Sequence, residues 1–147
     1  SKDYLSDEMQ FGIQFHLLIS RIEKKIEIES TVEQAVQEGE VSLSNLTNLM
    51  ANLHMLFEAS EYQNLFENKL EVLNEQSILV DGNTILRPDK IILKKEETIV
   101  VDYKTGIPKP ADIKQVRHYK STLEEMGYPE VSCYLFYTSL NELRQIV

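Results

Sequence analysis

Near residue 68 the apolar residues of this chain change their spacing, and that change excludes most folds. Before it, Phe11, Phe15, Leu18, Ile19, Ile22 and Ile26 share one arc of a 3.6-residue period, which predicts a first helix. Thr31–Glu38 predicts a short second helix. Ser42 or Ser44 caps a third that carries Leu46, Leu49, Met50, Leu53 and Phe57, and residues 61–68 suit a short fourth. After it come three β-rich runs, Leu70–Val80, Ile85–Leu93 and Thr98–Tyr103, separated by Asp81-Gly82-Asn83 and Lys95-Glu96-Glu97. The stretch Gly106–Pro110 cannot continue a strand. Ala111–Met126 reads as a helix closed by Gly127, with Pro129 just beyond; Val131–Tyr137 and Glu142–Val147 read as strands. The expected order is helices, three strands, helix, two strands. That is an α/β domain spanning 1–147, helical over 1–68 and built on a sheet with one helix over 69–147. No Gly/Ser/Pro-rich linker divides it.

Charge is distributed as unevenly as period. The chain carries a formal net charge of −9, which on its own argues against a polyanionic partner. Residues 1–67 hold 12 acids and 4 bases, whereas 87–120 hold 9 bases (Arg87, Lys90, Lys94, Lys95, Lys104, Lys109, Lys114, Arg117, Lys120) and 5 acids. A basic island therefore sits in the sheet half. No apolar run approaches the ~20 residues that span a bilayer, so no membrane partner is expected, and no signal peptide opens the chain. The single cysteine, Cys133, excludes an internal disulfide and any cysteine-rich metal site in this chain, and fits a reducing, cytoplasmic setting.

The hairpin centred between Lys95 and Glu96 fixes a register. A symmetric two- or four-residue loop pairs Leu93 with Thr98, Ile91 with Val100 and Asp89 with Asp102. Opposed residues project from one face with Cβ atoms about 5 Å apart. Lys104, two residues past Asp102, joins them, and Tyr103 points to the other side. Two carboxylates so placed repel unless a proton or cation lies between them, and oxygen ligands at that spacing suit Mg²⁺. Asp102 also closes the apolar run Ile99-Val100-Val101, where an acid has no packing reason to be.

These residues carry a resemblance. Arg87-Pro88-Asp89, thirteen residues before Asp102-Tyr103-Lys104, resembles the PD-(D/E)XK nuclease motif, and the string from Val100 to Gly106 is similar to its RecB-type branch, found at the ends of helicase–nucleases such as AddA and RecB. Gln115 and Tyr119 match that branch's Gln-x-x-x-Tyr helix, and Gly12 and His16 its upstream Gly-x-x-x-His helix. The chain most resembles the C-terminal nuclease domain of UvrD-like helicases of Bacteroides-type bacteria. One departure is Pro88, where many members have glycine nearby; proline lacks a ladder donor and implies an edge or bend before Asp89.

The resemblance implies a restriction-endonuclease-like mixed β-sheet flanked by helices, with an N-terminal helical subdomain. It implies a bacterial, cytoplasmic, Mg²⁺- or Mn²⁺-dependent deoxyribonuclease of the exonuclease V type. Its partners would be DNA and a UvrD-like helicase motor, acting in double-strand-break repair and recombination. His16, Asp89, Asp102 and the Tyr103 carbonyl would hold the metal. Lys104 would polarise the water, Gln115 and Tyr119 would orient the lysine, the water or a phosphate, and Glu75 would be the acid of the first strand. The start at Ser1-Lys2-Asp3 without Met is what a domain excised from a larger helicase–nuclease would show. The competing expectation is an inactive nuclease fold that guides DNA or docks on a helicase.

Overall fold

A computed structural model describes residues 6–80 and 82–147. Asp81, expected in the first turn, and the Ser1–Asp3 start lie outside the described residues. The elements are α1 (Asp7–Arg21), α2 (Ile28–Gln37), α3 (Leu43–Glu58), α4 (Ser60–Asn64), β1 (Glu71–Asn74), β2 (Ile78–Val80), β3 (Thr84–Leu86), β4 (Lys90–Leu93), β5 (Thr98–Lys104), α5 (Pro110–Glu125), β6 (Val131–Tyr137) and β7 (Glu142–Ile146).

α1 starts where Ser6 Oγ accepts the Met9 N–H at 3.1 Å, with Asp7 and Glu8 in its positive first turn. It stops earlier than the apolar arc predicts. The Glu27 carboxylate accepts the N–H groups of Glu23 and Lys24 at 2.9 and 2.7 Å and starts a 3₁₀ turn at Lys25. Ile26 therefore leaves the arc and stands 85% exposed. α5 opens with Pro110 in its first turn, where a missing N–H costs nothing. Gly127 closes it at φ +93°, leaving Met126 outside the buried stripe of Val116 and Leu123.

Five strands form one mixed sheet in the order β1-β4-β5-β6-β7. β5 and β6 are parallel, as the α5 crossover requires, and the other pairs are antiparallel. Ile92, Ile99, Val101, Tyr103 and Phe136 face α1–α4, packing on Phe15, Leu18, Ile19, Leu53 and Tyr62. Ile91, Val100, Cys133 and Leu135 face α5, beneath Val116, Tyr119 and Leu123. Covered on both sides, the central strands read as continuous apolar runs.

The first two β-runs are each broken in two, so the described residues of the sheet half form seven strands rather than five. β2 and β3 continue the β1–β4 hairpin outward as a separate pair: Asn74 lies opposite Lys90 and, past the break, Ile78 opposite Leu86. Pro88 has no N–H to offer a ladder there. On the facing strand Glu75 takes φ +50°, donating its N–H to Asp89 O at 2.9 Å and accepting Arg87 Nε at 3.1 Å. Lys90 is another departure. Only 2% exposed, it leaves the basic island and ties β4 to α1, donating to Ile19 O at 3.1 Å with Nζ 5.7 Å over the Phe66 ring. Burial pushes its pKa down to about 8.

Candidate functional site

The hairpin register places the two acids. β4 and β5 pair without a bulge, Leu93 opposite Thr98 and Ile91 opposite Val100. One step beyond the ladder, Asp89 N–H donates to Asp102 Oδ1 at 3.0 Å, and Tyr103 N–H donates to Asp89 Oδ2 at 2.8 Å. Lys104 Nζ lies 3.1 Å from Asp102 Oδ2 and donates to Gln115 Oε1 of α5 at 2.6 Å. Tyr103 turns its ring away from the acids into the helical side, where its hydroxyl meets that of Tyr62 at 2.7 Å.

His16 arrives from the other side of the sheet. Its Nδ1 is 2.8 Å from the Gly12 carbonyl; its Nε2 is 3.1 Å from Asp89 Oδ2 and 2.7 Å from the Tyr103 carbonyl. Gly12 makes this reach possible: a Cβ there would stand 2.8 Å from Thr105 Oγ1, so only glycine lets α1 lie this close to the end of β5. Lys90 holds the far end of the same helix against β4.

Both imidazole nitrogens face acceptors alone, an arrangement that a neutral ring leaves half unsatisfied. Burial opposes the imidazolium, but the bond to Asp89 and its charge, helped by the Gly12 and Tyr103 carbonyls, raise the His16 pKa from 6.5 to about 9. Burial also opposes ionisation of Asp89, yet His16 and the Tyr103 N–H hold that carboxyl below its ordinary value. Asp102, 2% exposed, goes the other way. Burial and the charge of Asp89 push it from 3.8 to about 6, against the pull of Lys104 and the Asp89 N–H. Adjacent carboxyls driven apart in this way repel each other less when a proton or a cation lies between them.

A cavity of about 370 Å³ opens over these groups. His16, Asp89, Asp102, Lys104, Gln115 and Tyr119 line it, so six of the seven predicted side chains come together. Burial, with the charges of Asp102 and Asp89, raises the pKa of Tyr119. Glu75 does not join them. The break at φ +50° turns it toward Arg87, whose Nη2 is 3.9 Å from its Oε2, and onto a neighbouring groove. Arg87, Thr105 and Lys109 also line the cavity. Lys109 was visible only as one member of the basic island; its position just before Pro110, on the loop from β5 to α5, was the available signal.

The donor set fits a hard divalent cation. The Asp89 carboxylate, the Tyr103 carbonyl and the His16 imidazole offer two oxygens and a nitrogen, and adjacent ligands of an octahedral ion with bonds near 2.1 Å stand about 3 Å apart. The 3.1 and 2.7 Å separations around His16 Nε2 are of that size. Among the described residues no three His, Cys, Asp or Glu side chains are grouped closely enough to hold an ion by themselves, so the set depends on the Tyr103 carbonyl.

No protein-family model matches this chain, and no curated protein matches it. Among solved structures, one described as "Crystal structure of SSO0001" is similar over 95% of this chain and 76% of its own, at 14% identity and a TM-score of 0.34. No described helix is long and apolar enough to cross a membrane. The functional reading is accordingly carried by the site's own residues.

Proposed function

We propose that this chain is a metal-dependent nuclease domain of the RecB type that hydrolyses phosphodiester bonds in DNA, with a restriction-endonuclease-like core. The observation that carries the reading is the meeting of His16 Nε2, Asp89 Oδ2 and the Tyr103 carbonyl beside the Asp102–Lys104–Gln115 chain. His16, Asp89, Asp102 and the Tyr103 carbonyl would hold Mg²⁺ or Mn²⁺. Such an ion supplies a water of lowered pKa and neutralises charge on the phosphoryl oxygens.

The remaining chemistry belongs to the chain. Lys104, held between Asp102 and Gln115, presents its ammonium to the water and to the oxygen on which negative charge develops. Gln115 fixes the direction of that ammonium through a neutral amide, which adds no second negative charge to the one Asp102 already sets beside it. Arg87 and Lys109, at the rim, attract the flanking phosphates that the net charge of −9 would otherwise repel. Water attacks phosphorus in line and gives up a proton to solvent, the P–O3′ bond breaks, the departing 3′-oxygen takes up a proton from solvent, and the products are a 5′-phosphate and a 3′-hydroxyl.

The acidic surface suits a domain to which DNA is delivered, and a linked UvrD-like helicase in break repair and recombination is the proposed source. The test is cleavage of labelled DNA in Mg²⁺ or Mn²⁺. Asp89→Asn should abolish it with the fold intact. Lys104→Ala should lose turnover yet still bind metal, because lysine is no ligand for these ions. Full activity in either variant would refute the assignment.

A further inference from the structure

α1 carries apolar side chains on two faces. Phe15, Leu18 and Ile19 are buried in the core, but Met9 and Ile13 are 56% and 57% exposed. Spaced four apart, with Leu17 continuing the row, they line one strip of the helix. That strip borders a groove of about 540 Å³, which Gly12, Thr105, Glu75 and His16 complete. Its character is opposite to that of the metal-side cavity. Arg87, Lys104, Lys109, Asp89, Asp102 and Asp112 border the cavity, whereas the groove is mainly aliphatic and its one acid, Glu75, faces Arg87. The two openings share His16 and Thr105, so the charged and apolar halves meet at the imidazole.

A nucleotide is divided in the same sense, with a charged phosphate and a base whose faces are apolar. We propose that the groove receives the base of the nucleotide next to the phosphate held in the cavity, with Met9 and Ile13 packing on its face. The proposal rests on the nuclease reading. Polarity selects this orientation: the cavity, with Arg87, Lys104 and Lys109 in its lining, suits the phosphate, and the aliphatic row offers it nothing on the other side. Neither Met9 nor Ile13 brings a hydrogen-bonding group that reads a base edge, and methionine adapts its shape, so the contribution of these two side chains depends on the presence of a base rather than on its identity.

The test is binding of a labelled oligothymidine and of an abasic oligomer of equal length, at low salt in Ca²⁺, to the 147-residue protein. Wild type should hold the oligothymidine roughly three- to tenfold more tightly. In Met9→Ala/Ile13→Ala that ratio should fall toward one, while affinity for the abasic oligomer and Mn²⁺ binding by calorimetry stay unchanged. Ile13→Gln should lower the ratio in the same direction, and both side chains are exposed, so the melting temperature should hold. A ratio near one in wild type refutes the groove. A ratio preserved in the double variant also refutes it and leaves the apolar row to a protein partner. If these results come with normal Mn²⁺ binding and cleavage, the groove alone is wrong. If wild type neither binds Mn²⁺ nor cleaves DNA, the nuclease reading fails and the groove with it.

Discussion

Asp102→Asn should stabilise the metal-free protein while abolishing cleavage. Asp102 is raised from 3.8 to about 6 by burial and by the charge of Asp89. The folded state thus holds this proton more tightly than the unfolded chain does. The stabilisation is complete below about pH 4 and is lost as pH rises through about 6. At neutral pH the ionised carboxylate costs the fold, at ~1.4 kcal/mol per tenfold change in acidity, up to roughly 3 kcal/mol. Asparagine removes that cost and can still accept the Asp89 N–H, now made at 3.0 Å. The attraction of Lys104 is already within that net cost, but the amide turns a donor toward the ammonium, which takes back about 1 kcal/mol. The net gain is ~1–2 kcal/mol at pH 7, a rise of roughly 2–8 °C in melting temperature for a domain of this size. Urea unfolding with EDTA at pH 7.5 and pH 4.5 measures it. The difference between variant and wild type should be largest at pH 7.5 and shrink at pH 4.5, where wild-type Asp102 is itself protonated. Saturating Mn²⁺ should reverse the order by stabilising wild type more. An asparagine variant that is less stable at pH 7.5, or a difference that ignores pH, would show that Asp102 is satisfied by Lys104 alone and that the acids do not repel.

Three further outcomes test other parts of the site. His16→Ala should weaken Mn²⁺ binding, with excess Mn²⁺ partly restoring cleavage; in wild type the affinity should climb by up to about tenfold per pH unit toward pH 9 as the imidazolium gives up its Nε2 proton, and pH-independent calorimetry would remove His16 from the ligands. Gly12→Ala should cost about 1–3 kcal/mol because the new methyl meets Thr105 Oγ1 at 2.8 Å, and adding Thr105→Ala should recover much of it in a double-mutant cycle on urea melts. DNA cleavage by the isolated 147 residues should stay unsaturated at micromolar DNA and vanish at moderate salt, since only a few cations face a polyanion against a net charge of −9; fusion to a motor, which raises local DNA to roughly millimolar, should relieve both, and tight salt-insensitive binding would contradict delivery.

The pairing of Asp89 with Asp102 was legible in the sequence because a hairpin is local: a turn centre and a period of two fix which side chains oppose each other, and the observed register agrees. The change of period at residue 68, the α5 boundaries and the Gln115–Tyr119 spacing were legible for the same reason. His16 is different. It lies 73 residues from Asp89, and its own helix says only that it flanks an apolar arc. Its role was suggested by resemblance, whereas its contact with Asp89 and Tyr103 depends on how closely α1 lies on the sheet, which Gly12 and Thr105 decide together. The sequence also misplaced Glu75, Ile26 and Lys90. Periodicity treats a strand or helix as uninterrupted, but Pro88 broke one ladder and the Glu27 carboxylate ended one helix. Lys90 looked like surface charge and became a buried tie between β4 and α1, because a lysine can enter a core when a helix carbonyl waits for its ammonium. Local chemistry sets which groups share a strand face; only packing between distant segments sets which of those groups meet, because the contacts that hold them there are made by side chains far apart in the chain.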